Sequence, residues 1–271
     1  MSDYEHILYE KRAAIARVIL NRPRYRNAQS HLLLDEMDDA FQTAAADDDV
    51  RVVILSGEGE HFSSGHDLGT PEEEADRVER AYEDGIRGTY TRFSKIYLEY
   101  GLRWRGIPKP TIAMIQGYCI YGGWQIASSM DLIVASEDAK LLPGFIEYFS
   151  VPWDIGVRKT KELLFENRFM DAHEAQRSGF VNIVVPRERL EAETLALAER
   201  IAETDPFRNK MIKLSANQAQ DAMGFHVAVQ AALSNYLVAM EHNSNENKKE
   251  AERRLPTVDM ALRNLARKTG E

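Results

Sequence analysis

Two glycine-bearing segments, each directly after an apolar run, hold the residue types best suited to chemistry in this chain. The first is His61-Phe62-Ser63-Ser64-Gly65-His66-Asp67-Leu68, following residues 52–55 (VVIL). The second runs over residues 117–125 (GYCIYGGWQ), following Thr111–Ile115 (TIAMI). Glycine at a strand end lets the backbone turn sharply and approach a ligand closely. A helix starting there adds unpaired N–H groups and a partial positive charge. Two such N–H groups converging on one oxygen would form an oxyanion hole, which stabilises negative charge as it develops on a carbonyl oxygen. The same two segments also fit ordinary strand-to-helix turns.

The elements that must position these segments alternate between two periods. Ile15–Leu20 (IARVIL) is largely apolar and runs into the turn Asn21-Arg22-Pro23. Ser30 suits the N-cap of a helix with Leu33, Leu34, Met37, Ala40, Phe41 and Ala44 on one face. Residues 52–55 do not alternate, so they predict a strand buried on both faces. Strand, helix and strand at this spacing predict crossover units and a mostly parallel sheet. The pattern recurs with Thr111–Ile115, a helix from Gly122-Gly123 carrying Ile126, Ala127 and Met130, and a strand at 132–135 (LIVA). Asp171-Ala172-His173-Glu174 fits a capping-box variant, Gly179 a helix stop, and residues 181–185 a strand closed by Pro186. From about Leu190 the chain is helical in character. The stretch 225–240 is apolar around its whole circumference and must bury against something, another subunit included. Residues 70–105 carry Tyr82, Tyr90, Phe93, Tyr97, Tyr100 and Trp104, which suits an amphipathic helical insertion on the sheet or the wall of a pocket.

Composition narrows the function classes. The 271 residues include 43 Asp+Glu and 34 Lys+Arg, a formal charge of −9, which disfavours a broad nucleic-acid surface. A single cysteine, Cys119, excludes an intrachain disulfide framework. No run approaches the ~20 apolar residues of a membrane span, and the charged N-terminus lacks a signal-peptide stretch. The expectation is a cytoplasmic protein with no membrane or nucleic-acid partner, a core over residues 1–200 and a helical region over 201–271.

Taken in order, several segments resemble the enoyl-CoA hydratase/isomerase (crotonase) superfamily. They are Asn21-Arg22-Pro23 with Asn27-Ala28, residues 62–68, Lys109-Pro110-Thr111-Ile112-Ala113, and Gly117-Tyr118 with Gly122-Gly123. Met130-Asp131 and Ala172 through Val181 complete the set. The resemblance implies an α/β spiral of ββα units with a helical C-terminal region that mediates trimerisation, as a homotrimer or a dimer of trimers. It implies a coenzyme A thioester as substrate, with no further cofactor and no metal. The thioester oxygen would sit between the backbone N–H groups of His66 and Gly122. Arg24, Ser64, His66, Asp67, Leu68, Gly122 and Phe145 would contact substrate, with Arg22 and Arg26 also near the nucleotide. Asp67 reads as a brace of its loop and Asp131 as structural.

The chain departs from the family's hydratases at both glutamate positions, which align with Gln125 and Phe145. An amide does not exchange protons near neutral pH, so alkene hydration by a glutamate pair is disfavoured. Asp154, beside Trp153, is the leading candidate for proton transfer, and Glu147 is the second, requiring a local two-residue gap. One carboxylate suits isomerase or C–C hydrolase chemistry on a bulky acyl-CoA, with Gln125 positioning water or substrate. The alternatives are a hydratase using Glu147 and a non-catalytic acyl-CoA binder. The C-terminal Tyr236, Glu241 and His242 are candidates to reach a neighbouring subunit's pocket.

Overall fold

The computed structural model describes residues 4–245 and 257–269. In chain order the elements are β1 (Ile7–Arg12), β2 (Ile15–Leu20), α1 (His31–Ala46), β3 (Val52–Gly57), α2 (Pro71–Arg80) and α3 (Gly85–Phe93). A π-helical stretch over Ser94–Glu99 joins α3 to α4 (Tyr100–Arg105). There follow β4 (Thr111–Ile115), β5 (Tyr118–Ile120), α5 (Gly122–Ser128), β6 (Leu132–Ser136), β7 (Lys140–Leu142), α6 (Val151–Ile155), α7 (Val157–Glu166) and β8 (Met170–Asp171). The chain continues through α8 (Ala172–Arg177), β9 (Ile183–Val185), α9 (Leu190–Ala202), α10 (Pro206–Ala222), α11 (Phe225–Asn245) and α12 (Thr257–Thr269).

The strands form a six-stranded sheet in the order β1-β2-β3-β4-β6-β9 and a three-stranded sheet in the order β5-β7-β8. From β2 to β9 the larger sheet is parallel, and only the β1–β2 edge hairpin is antiparallel. Consecutive strands β4–β5 and β6–β7 divide between the sheets before each returning helix, so the repeating unit is ββα. This places the ends of β3 and β5, and the loops that leave them, side by side.

The parallel strands are buried because helices cover both faces. Val53, Leu55, Ala113 and Ile115 pack with Leu33, Leu34, Met37 and Phe41 of α1. Their alternating neighbours Val52, Ile54, Ile112 and Met114 pack with Leu190 and Ala198 of α9. Fully burying one such side chain stabilises the fold by about 1.5–3 kcal/mol. Ser30 caps α1 as expected, its hydroxyl accepting from the Leu33 N–H at 3.1 Å. β9 begins at Ile183, later than the sequence predicts, because the Asn182 side chain accepts the Ile133 N–H and interrupts the regular ladder. Met130 lies beyond the end of α5.

Residues 70–105 fold as the expected helical insertion, burying Tyr97, Tyr100 and Trp104 while leaving Tyr90 exposed. In α11, Phe225, Val229, Leu233 and Leu237 form a stripe buried against Leu98 and Tyr148 of the same chain. Its Val227 and Val238 are each 72% exposed. Among the described residues no helix is long and apolar enough to cross a membrane.

Candidate active site

The two glycine loops meet backbone to backbone. Ser63 N–H donates to the Tyr118 carbonyl at 2.9 Å, and Ile120 N–H donates to the Ser63 carbonyl at 3.0 Å. Gly65 adopts φ +94°, and a side chain there would stand 2.8 Å from the Ile120 carbonyl and 3.3 Å from the Gly122 nitrogen. A Cβ on Gly122 would lie 2.4 Å from Gln29 Oε1, 2.5 Å from His66 Cδ2 and 2.7 Å from His66 Nε2. Only glycine permits this approach. Tyr121, immediately before α5, sits at φ +47°, a conformation costing a non-glycine residue about 1–3 kcal/mol. Its N–H donates to the Leu142 carbonyl at 2.8 Å, which helps to hold the turn.

Both expected donor amides lie at this junction. Gln29 N–H donates to the Gly65 carbonyl at 2.8 Å, and Asp67 N–H donates to the Gln29 carbonyl at 2.9 Å. In such a parallel bridge the amides flanking His66 face Gln29, so the His66 N–H turns to the opposite edge. Gly122 opens α5, and its N–H precedes every possible intrahelical acceptor. Among the described residues neither N–H is bonded to an acceptor of the chain.

Side chains of several elements converge on the same point. The His66 ring stacks on Tyr97 with centroids 4.2 Å apart, and His66 Nδ1 lies 3.8 Å from Glu147 Oε2. Tyr97 sits in the π-helical stretch, where its carbonyl accepts Gln125 Nε2 at 2.9 Å. That bond fixes the amide, so Gln125 Oε1 is an acceptor held without a partner. Gln29 Oε1, His66 Nε2 and Glu147 Oε2 are likewise buried without a hydrogen-bond partner among the described residues. Each such group costs about 1–3 kcal/mol in a folded chain, and their clustering marks a functional region. Burial pushes the Glu147 carboxyl above its ordinary range, opposed by His66 and by hydrogen bonding from its own backbone and Tyr236. A carboxylate therefore reaches the junction, beside the amide of Gln125. Aromatic rings surround it: Tyr236 lies 6.0 Å edge-on from Phe145 and 6.4 Å from Phe93, and Phe145 meets Phe149 at 5.2 Å.

The Enoyl-CoA hydratase/isomerase family model matches residues 10–257, nearly the whole chain. The chain belongs to this family. It is similar to the solved structure of a probable enoyl-CoA hydratase from Mycobacterium smegmatis, at 40% identity and a TM-score of 0.80, over 86% of this chain and 93% of that one. A probable enoyl-CoA hydratase from Mycobacterium thermoresistibile is 42% identical with a TM-score of 0.80, over 86% and 94% of the two chains. An enoyl-CoA hydratase/isomerase from Xanthobacter autotrophicus Py2 is 33% identical with a TM-score of 0.78, over 87% of each chain. The fold is thus the crotonase fold with C-terminal helices, and the protein is an acyl-CoA enzyme of this family.

Asp154 does not join the other candidates of this family site. Its Oδ2 accepts from Trp124 Nε1 at 2.8 Å and from Ser150 Oγ at 2.9 Å, and its Oδ1 accepts from Ser128 Oγ at 2.9 Å. Trp124 and Ser128 form one stripe of α5, and Trp124 stands on the side of the helix away from Gly122. Desolvation raises the Asp154 carboxyl to about 6 despite these donors.

The expected substrate contacts divide into two groups. Arg24, Ser64, Asp67 and Leu68 line one open cleft with Tyr25 and Arg26, and Leu68 is 91% exposed. Arg22 is not free for a nucleotide phosphate, because its guanidinium is buried and bonded to Asp67 Oδ2 at 2.7 Å, the Ala28 carbonyl and Thr70 Oγ1. Asp67 braces the loop as expected, also accepting the Gly69 and Thr70 N–H groups. Burial works against its charge, but the bonds from Thr70, Arg22 and Gly69 hold its carboxyl at about 2. Asp131 is structural, accepting the Thr111 N–H and Lys213.

His31, Glu73 and Asp76 form a three-ligand grouping among the described residues. Its carboxylates already pair with Arg77 and Arg80, and His31 is driven down to about 4 by burial and those arginines. The donor set is neutralised by the chain itself, so no metal is assigned to it. Gln29 escaped the sequence reading, because its place beside Gly122 arises from the bridge to His66 and leaves no local motif.

Proposed function

We propose that this enzyme forms and quenches the enolate of an acyl-CoA thioester, with Glu147 as the proton-transfer group. The supporting observation is the buried Glu147 carboxylate, 3.8 Å from the His66 ring that packs on Gly122. In this reading the thioester oxygen accepts the His66 and Gly122 N–H groups. Glu147 takes a proton from carbon, the C–H electron pair moves toward the thioester, and negative charge collects on that oxygen. Each preorganised donor is worth about 2.7–4 kcal/mol in enzymes where it has been measured. Returning the proton to a different carbon shifts the double bond, so one carboxylate suffices for isomerisation. Gln125 in place of a second acid favours this one-base chemistry over paired-glutamate hydration. The rings of Phe93, Phe145 and Tyr236 favour a bulky, planar acyl group. Arg24 and Arg26 suit the coenzyme A phosphates.

Hydration through Glu147 is the second reading. It is favoured by Gln125 Oε1, a fixed acceptor able to orient a water, and by relatives named as probable enoyl-CoA hydratases. Both readings pass through the same enolate. Deuterium uptake at the α-carbon of phenylacetyl-CoA in D2O tests that shared step, and loss of the alkene from crotonyl-CoA tests hydration. We expect exchange that Glu147→Gln reduces by about 10²–10⁴-fold. Exchange unchanged in that variant would remove Glu147 from the chemistry, and tight binding of both esters without exchange would favour a non-catalytic binder.

A further inference from the structure

The mechanism above leaves the side chain of Gln29 without a role, although it is buried where the two donor loops meet. Gln29 directly precedes Ser30, the cap of α1, so its backbone is anchored to the start of a long helix. Its Nε2 donates to Ser63 Oγ at 3.2 Å. The Ser63 hydroxyl donates its own proton to the Asn27 carbonyl at 2.8 Å, and its oxygen also accepts the Gly65 N–H at 3.2 Å. Ser63 therefore acts only as an acceptor toward Gln29, which turns Nε2 to the first loop and Oε1 to the second. There Oε1 lies 2.4 Å from the position of a Cβ on Gly122. A Cβ on Gly123 would likewise meet the Ser63 carbonyl at 2.8 Å, so the loops are packed without slack. Gln29 Oε1 has no donor among the described residues, a cost that an apolar side chain of similar length would avoid.

We propose that Gln29 is a positioning residue for the two oxyanion donors: its amide is a strut from Ser63 to Gly122 that fixes their separation. The proposal rests on the enolate reading and adds that the spacing is set by a side chain belonging to neither loop. The Gln29 backbone holds His66 through the bonds to Gly65 and Asp67, and the Gln29 side chain stands against Gly122, so one residue carries both constraints. Removing the strut lets one loop settle toward the other, and a shift of about 1 Å at a reacting centre costs up to about 10²-fold in rate.

The test is Gln29→Ala in the full-length protein, with Gln29→Met as the variant that keeps most of the volume but loses the bond to Ser63. Two quantities are read: phenylacetyl-CoA exchange, and the carbonyl stretch of bound, carbonyl-labelled phenylacetyl-CoA by isotope-edited infrared spectroscopy. Donors that polarise a carbonyl lower its stretching frequency, so the parent should show the band below its value in solution. In Gln29→Ala the band should move back toward the solution value. kcat should fall about tenfold with KM nearly unchanged, as for an interaction made in the transition state. Gln29→Met should lie between the parent and Gln29→Ala in both readouts. A merely structural residue would lower Tm and leave the band of the folded protein in place. A band unmoved from the parent's in folded Gln29→Ala, or in Gln29→Met where the alanine variant does not fold, overturns the positioning role and leaves the oxyanion reading intact. A parent band already at its solution value overturns both.

Discussion

Substituting Gly122 by alanine puts the junction of the two loops under direct strain. The new methyl would stand 2.4 Å from Gln29 Oε1 and 2.5 Å from His66 Cδ2, so one partner must retreat by most of an ångström. Both neighbours are part of the site, and misplacement by about 1 Å is enough to cost a reaction 10²-fold. Losing one oxyanion donor costs about 10²–10³ in kcat, so the expected loss lies in that range. Stability should change far less. Alanine gains about 1 kcal/mol of helix propensity at an ordinary helix position, which offsets part of an overpacking cost of about 1–3 kcal/mol. Phenylacetyl-CoA exchange and thermal unfolding, measured together, separate the two effects. His66→Ala is the companion variant, since it removes the imidazole and keeps the amide; it should lose much less than Gly122→Ala. Exchange within about threefold of the parent in Gly122→Ala, in a folded protein, would refute the backbone-donor argument.

Other expectations follow from the charges. Arg22→Ala strands the buried Asp67 carboxylate and should destabilise the fold by about 3–5 kcal/mol, seen as a large drop in Tm. Arg24→Ala, at an exposed position in the cleft beside Ser64, should leave Tm unchanged and weaken acyl-CoA binding measured by calorimetry. Equal Tm losses in the two variants would contradict the division between brace and binding surface. Asp154, raised to about 6 in the folded chain, binds a proton more tightly there than when unfolded. Its contribution to stability is therefore present at low pH and declines as pH rises from about 4 toward 6. Asp154→Asn should flatten that part of the stability–pH curve without abolishing exchange; an unchanged slope would show that Asp154 does not titrate there.

Much of the fold was legible because local patterns agree with the tertiary structure. Strands β3 and β4 carry unbroken apolar runs because α1 covers one face and α9 the other. The Ser30 cap and the turn chemistry at Gly65 and Gly122 are written in single residues. The roles of the carboxylates were harder to read. Asp154 has the residue type and neighbours of a proton-transfer group, but the helical phase of Trp124 and Ser128 turns it away from Gly122. Glu147 stands outside the helices and strands, and only folding brings it to His66. Arg22 looked like part of a basic cluster, whereas its side chain runs inward to Asp67. Tyr236 lies on an apolar helix whose docking partner no local pattern identifies.

The most direct test is a crystal structure of the protein with a bound, non-reactive acyl-CoA thioether or thioester analogue bearing a planar acyl group. The account predicts the carbonyl oxygen at about 2.7–3.1 Å from both the His66 and Gly122 nitrogens, with Glu147 facing the adjacent carbon. A carbonyl bound elsewhere, or either amide turned away from it, would contradict it.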